Sequence, residues 1–330
     1  MLEYPGSEPG FASPLALAAG VEWIRLPLSF PPRHVNVYRI ETSGGTILVD
    51  TGLGNRETRE LWDSLWSRAP CSKVVVTHFH PDHIGQAAAL EGLGAKILVP
   101  APEIAKARQI HALGADELTL HMSRFFIAHG LSGSAPGFGR GNGYRYMVPV
   151  LPERSLALLK GALDFAPEWS VRFAGGHSPA HALLTRDQAP IVVAGDILLP
   201  RITPNISVWP EDPDADPLGD YLRALDGLRR DLPTDGLILP AHGSPYRGIH
   251  ERIAAIQAHH AARLDLLREA IGTAGSVSAA EMLLRLFPHE LDPGSLPFAL
   301  GETVAHLNHL WRRGEIERPR DRHGVYRYMR

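Results

Sequence analysis

The chain has 330 residues, 44% of them apolar and 21% charged, with a formal net charge of −3. That balance fits a globular protein with one large domain and a smaller one, and it gives no global attraction to nucleic acid or acidic membranes. A single cysteine, Cys71, excludes an internal disulfide framework, so any metal is held by nitrogen and oxygen rather than by thiolates.

No apolar run reaches the roughly 18 residues of a membrane-spanning helix. The first residues carry Glu3 and no basic side chain, and the short apolar stretch behind them holds Pro14. They do not read as a secretory leader, and the cytoplasm is the expected compartment.

Three early strands are predicted at 21–28, 34–40 and 45–50, with Ser43, Gly44 and Gly45 as a hairpin turn. A helix follows near 57–68. KVVVT at 73–77 is a continuous β-branched run, the pattern of a buried strand. A helix over 85–92, a strand at 96–99 and helical segments through 103–129 come next.

Residues 130–146 hold six glycines. A loop of this length inside a domain is either functional or disordered. Its Phe138, Tyr144 and Tyr146 read as the cover of a site, with a tyrosine hydroxyl aimed at an oxyanion, or as anchors of a surface excursion. Strands resume at 169–176 and 189–195, a helix covers 217–230, and a short strand lies at 236–240.

The stretch THFHPDHIG (77–85) places His78, His80, Asp82 and His83 within six positions, where the buried strand ends. Alternate side chains of an extended segment point the same way, so His78 and His80 can face one point. A polar turn accounts for one or two such residues, not four. Imidazoles this close repel one another when protonated, and a bound cation removes the conflict.

Partners for that cation are found at other strand ends. GGHSPAH (175–181) offers His177 and His181, VVAGDIL (192–198) offers Asp196, and ILPAHGSP (238–245) offers His242. Each sits among small residues after an apolar run. Singly each reads as a cap or turn residue; together they share one local grammar.

The ordered set HxHxDH, GH, GD and AHG resembles the metallo-β-lactamase superfamily over roughly residues 20–245. The resemblance implies an α+β fold, an αββα sandwich with a metal pair at one edge. It implies that His78, His80 and His177 hold one metal, that Asp82, His83 and His242 hold the other, and that Asp196 bridges them.

His181 looks like the second histidine of the GHxxxH arrangement in glyoxalase II-like members. It reads as an orienter of the site, or as a satisfied polar residue at the sheet edge. Two divalent ions that share a hydroxide would make a nucleophile at neutral pH, with Asp82 as a ligand that also orients its proton. The donor set suits zinc (Zn2+), and manganese or iron also fit it.

From about 249 onward the pattern is helical. Ser278 with Glu281 forms a helix start, the stretch 297–319 reads as a third helix with Val304, Leu307, Leu310 and Trp311 on one face, and 314–330 reads as a hairpin turning at 321–324. Three helices and a hairpin make a winged helix, similar to the tail found in one branch of the superfamily. The expected domains are a catalytic one over 1–248 and a small winged-helix-like one over 249–330.

The tail is basic after Trp311, but over 251–330 its charges nearly balance, which favours packing or homodimerisation over nucleic-acid binding. His306 and His309 read as a packed or solvated pair rather than as ligands. The expected function is hydrolysis of a small ester or thioester. Alternatives are an endoribonuclease or other phosphodiesterase, and a lactonase; no membrane partner is expected.

Overall fold

The computed structural model describes residues 2–4, 6–131, 148–151, 156–186, 188, 190–288 and 291–330. Phe138, Tyr144 and Tyr146, singled out above, lie outside the described residues. The chain divides into two compact units that interleave along the sequence. Residues 1–112, 144–204 and 229–252 form the first, and 113–143, 205–228 and 253–330 the second.

In the first unit, β1 (Leu15–Ala18), β2 (Val21–Pro27), β3 (His34–Thr42), β4 (Gly45–Val49), β5 (Lys73–Val75), β6 (Lys96–Val99) and β7 (Leu156–Leu158) form one sheet in that order. The sheet is antiparallel from β1 to β4 and parallel from β4 to β7. Parallel neighbours need crossovers. Helix α1 (Arg56–Arg68) lies between β4 and β5, and α2 (Pro81–Ile84) with α3 (Ala87–Gly92) between β5 and β6. Asn55 starts α1 by accepting the Thr58 N–H at 2.8 Å.

Period two sorts the side chains of this sheet. Leu48, Val74, Val76, Ile97 and Val99 pack with Trp62 and Trp66 of α1 and with Ile104 and Ala107 of α4 (Ala101–Ala112). Ile47, Val49, Val75 and Leu98 point the other way, into a core shared with a second sheet.

That second sheet runs β11 (Leu237–Pro240), β10 (Ile191–Gly195), β9 (His181–Arg186), β8 (Ser170–Ala174). Its Val171, Ala182, Leu184, Ile191, Val193 and Leu239 complete the shared core. Two sheets face to face with helices outside the first make the expected α+β sandwich. Strand β9 has no counterpart in the sequence reading. Residues 181–185 are buried without interruption, so the strand shows no apolar–polar alternation.

The second unit holds α5 (Ala115–Ala128), most of α6 (Pro217–Asp231) and of α7 (Ile249–Ala274), then β12 (Ser276–Val277), α8 (Ala279–Leu286), α9 (Leu296–Arg312) and β13 (Tyr328–Met329). The predicted capping box is present: the Glu281 N–H donates to the Ser278 hydroxyl, and the Ser278 N–H donates to the Glu281 carboxylate. β12 pairs antiparallel with β13, and bridges Glu317↔Met329 and Arg320↔Tyr326 form the terminal hairpin.

Helix α9 departs from the single apolar face expected of it, because every residue from Ala299 to Leu310 is buried. Its polar members are paired instead. Arg263 meets Glu302 at 2.7 Å, and the Asn308 amide donates to the carbonyls of Pro213 and Ala215. His306 donates to or accepts from His260 at 3.1 Å, and His309 meets Asp216 at 3.0 Å. Cys71 is buried, and burial pushes its thiol up to about 11. No helix among the described residues is long and apolar enough to cross a membrane.

The β3–β4 turn is fixed by Ser43, whose N–H and hydroxyl donate to Glu168 at 2.8 and 2.9 Å. A Cβ on Gly44 would stand 2.0 Å from the Phe165 carbonyl oxygen, whereas one on Gly92 meets nothing within 4 Å. Gly44→Ala should therefore cost about 1–3 kcal/mol. The check is a lowered urea midpoint at unchanged slope, with Gly92→Ala, at the end of α3, neutral or stabilising.

Candidate metal centre

Five of the seven predicted donors follow strand ends, and Asp82 and His83 lie on the short helix α2. His78 and His80 come after β5, His177 after β8, Asp196 after β10 and His242 after β11. Backbone bonds stitch the two sheets together at this edge. The Ala182 N–H donates to the Thr77 carbonyl at 2.9 Å and the Asn36 N–H to the Ala241 carbonyl at 2.7 Å. The Asn36 amide and Tyr38 hydroxyl both donate to the Pro240 carbonyl, at 2.8 and 2.7 Å.

Seven side chains converge there in two groups: His78, His80, His177 and Asp196, and Asp82, His83 and His242. In the first group His78 Nε2 lies 2.9 Å from His80 Nδ1 and 3.3 Å from His177 Nε2, and Asp196 Oδ2 lies 3.2 Å from His177 Nε2. In the second, Asp82 Oδ2 is 3.3 Å from His242 Nε2 and 3.8 Å from His83 Nε2. Asp196 also serves this group, with Oδ1 3.4 Å from His242 Nε2 and Oδ2 3.6 Å from His83 Nε2. It stands between the two.

The charges are arranged accordingly. Burial pushes the Asp82 carboxyl up, but His83 and His242 outweigh it and hold it at about 2. Asp196 is likewise raised by burial and pulled lower by His242 and His83. Burial and neighbouring imidazoles drive His78 and His80 well below the usual histidine range. Burial lowers His83 and His242 too, but the facing carboxylates raise both above it.

Residues 30–242 match the family model described as the metallo-beta-lactamase superfamily, and residues 264–330 match that of the metallo-beta-lactamase-like C-terminal domain. A beta-lactamase domain protein from Burkholderia ambifaria is 35% identical over 100% of this chain and 98% of its own, with a TM-score of 0.90. The chain belongs to the metallo-β-lactamase superfamily.

A metallo-beta-lactamase family protein from Thermus thermophilus is 31% identical over 96% of this chain and 100% of its own, with a TM-score of 0.78. A metallo-beta-lactamase from Pontibacter korlensis, 18% identical over 73% of this chain and 95% of its own with a TM-score of 0.51, shows the fold alone. No curated protein matches the chain. With the superfamily's two donor groups intact, the chain is a metal-dependent hydrolase of that superfamily.

The residues present fit two cations. Four donors held at ~2.1 Å around a tetrahedral ion stand roughly 3.4 Å apart, and the contacts above bracket that spacing. Buried polar atoms ordinarily have partners, yet His83 Nε2 and Asp196 Oδ1 have no hydrogen bond. Nitrogen and carboxylate donors suit a borderline divalent ion.

Supports that the sequence reading missed hold the superfamily donors in place. Asp50, just after β4, accepts the Thr77 N–H at 2.7 Å and the Thr77 hydroxyl at 2.9 Å, and takes His83 Nδ1 at 2.8 Å. Thr77 Oγ1 in turn meets His78 Nδ1 at 3.0 Å. Each of these imidazoles then carries its proton on Nδ1 and leaves the Nε2 lone pair for the site. His242 does the same by donating Nδ1–H to the His34 carbonyl at 2.8 Å.

Asp50 has φ +64, a strained conformation for a residue with a Cβ. Glu103, fully buried on α4, accepts from the Phe79 N–H at 3.1 Å, the Ser178 hydroxyl at 2.8 Å and the Ala180 N–H at 2.5 Å. It thereby ties the His78–His80 loop to the His177 loop.

His181 belongs to neither donor group. Its Nε2 accepts the Asp196 N–H at 3.1 Å, and its ring stacks on His78 at 4.6 Å. Burial lowers it to about 3, so it is neutral and accepts throughout the physiological range. A Cβ on Gly195 would lie 2.3 Å from the His181 ring, so glycine is needed where β10 delivers Asp196. A cavity of about 250 Å³ borders the centre, lined by His242, His34, Pro200, Arg201, Ile202 and Ser244 among others.

Asp50 touches donors without being one. Asp50→Asn should lower zinc affinity about 10–100-fold, read by competition with a chromophoric chelator, while the fold is retained by circular dichroism.

Proposed function

We propose that the chain hydrolyses a small ester or thioester at this centre. What carries the reading is the position of Asp196 between two complete donor groups, beside a cavity of about 250 Å³. His78, His80 and His177 would hold one divalent ion and Asp82, His83 and His242 the other, with Asp196 serving both. Zinc fits the donors best, and manganese or iron fit them too. Bound there, such ions supply Lewis acidity and lower the pKa of a water to about 7.

The chain's own residues do the remaining work. Asp82 stays ionised above about pH 2, and its carboxylate would both ligate and orient the proton of the nucleophile. His181 is a positioning residue. It fixes the Asp196 backbone through one hydrogen bond and never becomes charged near neutrality. His34, which burial lowers to about 4, accepts the Gly243 N–H at 3.0 Å and steadies the turn that presents His242. The cavity mixes apolar Ile202 and Pro200 with the opposite charges of Arg201 and Glu8, a lining that can take the apolar and the polar part of an acyl conjugate. A lactone, as a cyclic ester, falls in the same class.

The element order of the C-terminal segment supports a winged-helix-like reading. It does not favour nucleic acid as the substrate. The helix in the recognition position, α9, is buried from Ala299 to Leu310. Three of the arginines that made the tail look basic are paired with acids: Arg313 with Glu315, Arg318 with Asp214 and Arg327 with Glu281.

The test is a turnover screen of the metal-loaded protein on thioesters, linear esters, lactones and single-stranded RNA. Thioester or ester turnover should exceed RNA cleavage, and Asp82→Ala should reduce it by about 100-fold or more. RNA as the sole substrate, or a rate unchanged by Asp82→Ala, would overturn the proposal.

A further inference from the structure

A second cavity, of about 240 Å³, lies wholly among residues of the second unit. Its charge is one-sided. Arg124 and Arg320 line it together with His121, and no Asp or Glu among the described residues does. Arg320 is held in place without being neutralised, since its guanidinium donates to the Gly324 carbonyl at 2.9 Å and the Tyr326 hydroxyl at 2.7 Å. Arg124 is exposed on α5. Nearby Arg318 is instead ion-paired with Asp214, so the positive charge of the lining comes from Arg124 and Arg320.

The same wall contains His129. It is fully buried, it lines the cavity, and neither of its ring nitrogens has a hydrogen-bond partner. Its ring is packed between Phe125, at 4.5 Å, and Tyr326, at 5.2 Å. A neutral imidazole carries one donor and one acceptor, and leaving both unmet in a buried wall is costly. A phenylalanine would fill the place without that cost. The imidazole is accounted for by something that meets it.

The rest of the lining is apolar, with Phe125, Pro210 and Pro213 among its members. The volume is below the ~300 Å³ at which pockets for drug-sized ligands begin. That size admits one ring and a head group.

We propose that the second unit binds a small aryl oxyanion, an aryl phosphate or aryl carboxylate, in this pocket. The anionic head meets Arg124 and Arg320, the ring lies against Phe125 and the prolines, and the His129 ring turns out of its buried place to give an oxygen of the ligand a hydrogen bond. None of the seven metal donors lines it, and it does not depend on which ester they cleave.

Phenylphosphonate, which an esterase does not consume, is the probe. An anion also seeks the metal centre, so the readout must be local: the histidine ring resonance of the metal-loaded protein that vanishes in His129→Phe. The expected result is a saturable shift of that resonance. Inorganic phosphate and phenol should each need about tenfold higher concentration, and Arg124→Ala should raise the half-saturation point about tenfold. His129→Phe should keep or raise the melting temperature, because it removes two unpaired buried nitrogens. No shift up to ~10 mM ligand, well past the weak end of specific binding, or the same half-saturation point in Arg124→Ala, would overturn the proposal.

Discussion

Asp196 offers one oxygen to His242 and the other to His177 and His83, at 3.2–3.6 Å. Two buried carboxylates among five imidazoles form an arrangement that neither protons nor water can satisfy fully. Taking ions out of water costs several kcal/mol each, and the unpartnered His83 Nε2 and Asp196 Oδ1 add to that cost. Cations between the donors relieve both terms at once. The surrounding architecture follows from keeping this one carboxylate between its two sets of neighbours.

The sandwich does so by bringing the ends of β5, β10 and β11 to one edge. Crossover connections leave the loops after parallel strands free to carry function, and the hydrogen bonds from Ala182 to Thr77 and from Asn36 to Ala241 lock the sheets in register there. Rigid supports then act on the donors from behind. Asp50 governs His83 directly and His78 through Thr77, Glu103 joins the two histidine loops, and His181 holds the Asp196 backbone. Each sets a tautomer or a backbone position.

Much of this was legible in the sequence for a simple reason. His78, His80, Asp82 and His83 are too close together to be read as a turn, and His177, Asp196 and His242 repeat one pattern, an apolar run that ends among small residues. Asp50 ends such a run as well, in ILVDTG, but a lone acid before Gly52 looks like an ordinary turn. Its left-handed backbone and its contact with Thr77 depend on tertiary structure. Glu103 resembles a solvated acid in the first turn of a helix, and only the fold shows it fully buried. Strand β9 was lost because burial on both faces erases the period of two. The grouping of 113–143 and 205–228 with the C-terminal segment is non-local and leaves no local pattern.

The most direct measurement is anomalous diffraction at the zinc edge from crystals of the protein grown with zinc. Two peaks roughly 3.5–4 Å apart are predicted, one beside His78, His80 and His177 and the other beside Asp82, His83 and His242, with the Asp196 carboxylate touching both. A single peak, or a pair in which Asp196 contacts neither ion, would contradict the account.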